Sequence, residues 1–134
     1  MGMEQTIKFP VGSPPSWPVV RDLLTFRGFP VQVRMIDGEL AFPDEEPSES
    51  WRELRLSSPE GRMVTVKREG DRLVLVVWGN ADAPLVHAWN ALTWAFAEVG
   101  NGTIQAGDSL LVPSEYVRRM DMPAAFRQSP ESRG

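Results

Sequence analysis

The chain contains no cysteine, a single histidine and a single tyrosine, and its only lysines are Lys8 and Lys67. The missing thiols exclude disulfides, thiolate nucleophiles and Cys-ligated zinc or iron–sulfur centres. One histidine cannot build a His-based metal cage, so neither metal nor cofactor is expected. A cysteine-free chain also suits a reducing compartment, and the expected localisation is cytoplasmic. The longest β-like apolar run, "LVLVVW" at 73–78, is far short of the roughly 20 residues that a membrane helix needs. The opening "MGMEQTIKFP" has no basic or apolar signal region, so no signal peptide is expected. Its fit to the myristoylation pattern is read as chance, because no polybasic segment accompanies it. Excess basic charge is missing too. A net charge of −4 argues against nucleic acid or anionic membrane as the main partner.

What is present is ordinary for a globular chain: 134 residues, 42% hydrophobic and 24% charged, enough for one core. The five tryptophans stand out, because each can bury roughly 150–250 Å² in a core or an interface. Residues 1–16, with Pro10, Gly12, Ser13, Pro14 and Pro15, read as an extended, partly mobile lead-in. Residues 17–120 read as a single α+β domain, and 121–134 as a polar C-terminal tail.

Within the domain, "SWPVVRDLLTFRG" has Ser16 as N-cap, Pro18 in the first turn and Gly28 beyond the end, which predicts a helix. Its apolar side is Val19, Val20, Leu23, Leu24 and Phe26. From residue 29 the period becomes two. "PVQVRMI", Asp37-Gly38 and "ELAF" predict a hairpin with a type I′ turn. "WRELRL", "RMVTVKRE" and "RLVLVVW" add three strands with short connections, so a five-stranded antiparallel meander is expected. Asp82 and Pro84 then open the helix "VHAWNALTWAFAEVG", followed by a possible strand at Thr103 to Gln105, an apolar "LLV" and a short helix near Ser114 to Met120. The expected architecture is a two-layer sandwich with both main helices on one face of the sheet and a short C-terminal helix. Small size, acidity and an opening helix resemble the layout of secretion-chaperone-like domains.

Two faces attract attention. On the second helix, Leu85, Trp89, Leu92, Phe96 and Val99 form the core side, and His87, Asn90, Ala91, Trp94, Ala97 and Glu98 lie opposite. His87 is the one candidate acid/base group. Its helix neighbours Asn90 and Ala91 offer no carboxylate, and Glu98 lies roughly 16 Å along the axis, so a structural or interfacial role is preferred. On the sheet, alternation places Val31, Val33, Met35, Leu40, Phe42, Leu54, Leu56, Val64, Val66, Leu73, Leu75 and Val77 inward. Gln32, Arg34, Ile36, Trp51, Glu53, Arg55, Met63, Thr65, Lys67, Val74, Val76 and Trp78 then point outward. A solvated antiparallel face should be mostly polar, yet the last strand makes this one apolar, so its expected cover is either a partner or the chain's own N-terminal lead-in or post-helix segment (Leu110, Leu111, Val112, Tyr116).

The acidic loop "PDEEPSESWRE" matches no calcium-binding pattern, and "GNGTIQAGDS" follows a helix rather than opening one, so neither predicts an ion or phosphate site. No catalytic triad, Walker or zinc-protease motif occurs. The expectation is therefore a non-catalytic protein-binding or adaptor domain, chaperone-like in layout, that self-associates or takes a protein partner. Its interface is expected at Trp51, Met63, Val74, Val76, Trp78, Trp94, Arg34 and Arg55. The alternative is a small-molecule binder or enzyme with an aromatic-lined pocket using His87.

Overall fold

Alternation along the chain is realised most regularly in three adjacent strands, and the rest of the molecule is arranged around them. The computed structural model describes residues 2–10 and 14–127. Strands β4 (Glu53–Ser57), β5 (Met63–Glu69) and β6 (Arg72–Trp78) pair antiparallel in register, with Leu54 opposite Val66 and Val66 opposite Leu75. Leu54, Leu56, Val64, Val66, Leu73, Leu75 and Val77 all face one core, because every second side chain of a strand shares a face.

The fold is α+β with an entirely antiparallel sheet, but the sheet has eight strands rather than the expected five. The additional strands are β1 (Gly2–Lys8), β7 (Thr103–Ala106) and β8 (Ser109–Leu111). In the order β3-β2-β4-β5-β6-β1-β7-β8, β1 enters the middle of the sheet between β6 and β7. Ile7 sits opposite Leu73 on one side and Ile104 on the other, and it is fully buried. The expected extended lead-in thus begins as a strand that ends before Pro10, and residues 1 and 11–13 of it lie outside the described residues.

The meander expectation also needs correction at its start. β2 (Gln32–Ile36) lies between β3 (Glu39–Leu40) and β4, so the chain crosses past β2 through residues 41–52. The Asp37-Gly38 turn has φ of 51° and 86°, as a type I′ turn requires. Asp37 also anchors β4, accepting hydrogen bonds from the backbone N–H of Arg52 at 2.7 Å and of Glu53 at 2.9 Å. Between Val33 and Met35 the β2–β4 register shifts by a bulge. Beyond it the faces exchange: Met35 pairs with the outward Arg55, and Ile36 pairs with the inward Leu54 and packs on the core. Leu40 and Phe42, expected in the core, are exposed because β3 ends after two residues.

Helices α1 (Trp17–Phe26) and α2 (Ala83–Gly100) pack on each other, and α2 crosses β1, β5, β6 and β7. Asp82 caps α2 by accepting from the Leu85 N–H at 3.0 Å, and its carboxylate also takes a bidentate contact from Arg62. Its carboxyl is held below the usual range by the Arg62 hydrogen bond first and by the Leu85 N–H second. On α1 the buried residues are Trp17, Val20 and Leu24, whereas Val19 and Phe26 are exposed. Helix α2 is buried on nearly every side from Asn90 to Ala97, because α1, α3 (Pro113–Arg119) and the buried Met122 and Phe126 cover what the sheet does not. Residues 128–134 of the expected tail lie outside the described residues.

The turn after α2 fits tightly against β1. Asn101 adopts the left-handed cap conformation, with φ of 58°. A Cβ on Gly102 would lie 2.6 Å from Ile7 Cγ2 and 3.1 Å from the Lys8 carbonyl oxygen. Gly102→Ala is therefore expected to destabilise the protein by about 1–3 kcal/mol, as overpacking does. Chemical denaturation with the slope m unchanged checks this.

Candidate functional site

Three regions carry unusual chemistry: the helix-free sheet face, a polar network under α2 and α3, and a cavity beside α1. On the helix-free face, Trp78, Val76 and Val74 project from β6, flanked by Met63, Thr65 and Lys67 of β5 and by Gly2, Glu4 and Thr6 of β1. No helix among the described residues covers them, and Val74 and Val76 lie outside the main core cluster. Both valines are nonetheless only 6% and 5% exposed. Among the described residues, Lys67 and Trp78 lie beside them in the sheet. The Lys67 Nζ reaches to 5.8 Å from the Trp78 ring centroid, so its aliphatic stem crosses the intervening surface. The Trp78 indole lies over Gly2, where an added Cβ would be 3.0 Å from Nε1. Trp78 remains 50% exposed and Met63 41% exposed.

The expected interface residues thus divide. Met63, Val74, Val76, Trp78 and Arg55 come together on one face, and Arg34 sits at the bulge of β2 on the same sheet and is exposed. Trp51 and Trp94 do not join them, being 1% and 4% exposed within the chain. Trp51 precedes β4 and turns inward against Phe96, with ring centroids 6.4 Å apart. Trp94 meets the edge of Phe126 at 5.3 Å, and the Arg27 guanidinium lies over both rings. Burial from several sides, invisible to a single-helix projection, accounts for both placements.

His87 has a carboxylate neighbour that local sequence could not reveal. Its Nε2 lies 3.1 Å from Oδ2 of Asp121, in the segment after α3. The Asn90 amide beside it donates to the Asp121 carbonyl at 2.9 Å. Deeper in, Gln5 donates to Asn90 Oδ1 at 3.0 Å, and the Tyr116 hydroxyl contacts both Gln5 Oε1 and Asn90 Oδ1. Burial pushes the Tyr116 phenol up, opposed by its hydrogen bonds to Gln5 and Thr93. This network joins β1, α2 and α3. Its Gln5, Asn90 and Tyr116 polar groups are hydrogen-bonded within the protein. No group of three or more metal-ligating side chains occurs among the described residues.

The third region was missed. Arg68 continues the inward series Val64, Val66, so alternation alone places a cation on the core side of β5. Its guanidinium lies 4.5 Å from the Trp51 ring centroid, and Nη1 donates to the Glu49 carbonyl at 3.1 Å. Nε is shielded from solvent without a hydrogen-bond partner, a cost of about 1–3 kcal/mol or more for a charged group. Burial lowers the Arg68 pKa from its ordinary value, with Asp37 acting the other way. No acidic side chain pairs with it among the described residues. Arg68 lines a cavity of about 500 Å³ together with Trp17, Trp51, Ser16, Glu46 and Glu49.

These features define an α+β domain with one helix-covered and one uncovered sheet face. A scan of protein families, a search of curated proteins and a search of solved structures each find no match for the chain. No helix among the described residues is long and apolar enough to cross a membrane.

Proposed function

We propose that this protein is a non-catalytic binding module of the adaptor or chaperone-like kind, which self-associates through the helix-free face of its sheet. The observation that carries the reading is Trp78, half-exposed at the end of β6 on a face that no helix covers. Large aromatic side chains in such positions are the usual anchors of protein interfaces. Charge supports a second copy as the partner. Lys67 and Arg55 flank β6 on one side and Glu4 on the other. A two-fold axis running along β6 would bring Lys67 of one copy toward Glu4 of the other, an isologous arrangement. A stable dimer buries about 800 Å² per partner, so Met63, Arg55 and Arg34 would be needed around Trp78.

Light scattering over a range of concentrations tests this. The wild type is expected to dimerise, and Trp78→Arg to weaken dimerisation by about 2 kcal/mol or more, roughly 30-fold. The variant's thermal midpoint in the dilute, monomeric regime should stay near that of the wild type. A monomeric wild type at every concentration would remove the proposal.

A further inference from the structure

The geometry points to the cavity between α1, the 46–49 loop and β5 as a binding site for a small zwitterion of the α-amino-acid class, its carboxylate toward Arg68 and its ammonium toward Glu49. A cavity of about 500 Å³ falls within the range that holds small metabolites. Arg68 supplies a cation with no direct ion pair among the described residues, Asp37 acting on it only at longer range, and stacking on Trp51 fixes its plane. The hydrogen bond from Nη1 to the Glu49 carbonyl ties the same guanidinium to the rim.

The N-terminus of α1 reinforces the anion-accepting side. Ser16 and Trp17 line the cavity, Ser16 makes no side-chain cap bond, and the first turn carries no acid. The positive end of the α1 dipole therefore borders the same space as Arg68, although Pro18 in this first turn supplies no N–H. The other side has opposite character. Glu46 and Glu49 both line the cavity; Glu46 lies 3.9 Å from Arg21 Nη1, whereas the Glu49 carboxylate makes no ion pair among the described residues. A simple anion would be repelled by these carboxylates, and a simple cation by Arg68 and the helix end. A ligand carrying both charges satisfies both.

Isothermal titration of the full chain with each free L-amino acid in turn tests this, with acetate and methylammonium as single-charge probes. At least one amino acid is expected to bind saturably, and more tightly than either probe. Arg68→Met should weaken that binding about 10- to 100-fold, the effect of losing a charge-assisted contact. Should Arg68→Met fail a thermal-unfolding control, the exposed Glu49→Gln substitution still decides, with an expected loss of up to about tenfold. No saturable heat from any amino acid by about 10 mM, acetate binding as tightly as the amino acids, or affinity unchanged in Glu49→Gln would each overturn the assignment.

Discussion

Phe96→Ala is expected to cost about 3–5 kcal/mol of folding stability. Phe96 is fully buried on α2 and holds two other aromatics in place: Trp17 of α1 stacks on it at 5.9 Å, and Trp51 tilts against it at 6.4 Å. Removing the ring takes away its transfer energy and leaves a hole that two rigid indoles cannot close. It also loosens the platform beneath Arg68, which stacks on Trp51. A domain of this size has only about 5–15 kcal/mol to lose, so the variant should lie near the edge of folding. Urea titration monitored by far-UV circular dichroism reads the loss. A change below about 1 kcal/mol would mean that the three rings do not form the centre of the core.

The second large effect concerns Asn90. Its side chain accepts from Gln5 and donates to the Asp121 carbonyl, and its Oδ1 lies 3.1 Å from the Tyr116 hydroxyl, whose single proton is shared with Gln5 Oε1. Asn90→Ala leaves the buried Gln5 amide without this partner, at about 1–3 kcal/mol, and removes the part-buried bond to the Asp121 carbonyl. Tyr116 retains its contact to Gln5, so Tyr116→Phe should cost less than Asn90→Ala. A double-mutant cycle between the two positions should show coupling, because their polar atoms share one network. Additive losses would separate them.

Much of the fold could be read in the sequence where local and tertiary demands agree. Asp82 and Pro84 mark the start of α2, Asp37-Gly38 forms its turn, and β4 to β6 keep strict alternation. Legibility failed where a distant element decided the outcome. β1 contributes Gln5 and Ile7 to the interior, a weak pattern that becomes a strand only because β6 and β7 lie on either side. The bulge after Val33 reverses the faces of Met35 and Ile36, and no residue in "PVQVRMI" announces it. Trp94 is polar-side by helical projection, but Phe126 and Arg27 enclose it. Arg68 was legible in principle: the series Val64, Val66, Arg68 puts a charge where apolar residues belong. His87 could be singled out as the lone histidine, but its neighbour Asp121 comes from beyond α3.

The uncovered face is the feature on which the functional account rests, and Trp78 reports on it directly. Acrylamide quenching of Trp78, taken as the difference between wild type and Trp78→Phe, can be followed from dilute to concentrated protein. Trp17, Trp51 and Trp94 are buried and Trp89 is partly buried, and because all four are present in both proteins they cancel in that difference. Quenching is expected to be efficient in dilute protein and to fall as concentration rises and the face is covered by a second copy. Equal quenching at all concentrations, with Trp78 open to solvent throughout, would contradict the account.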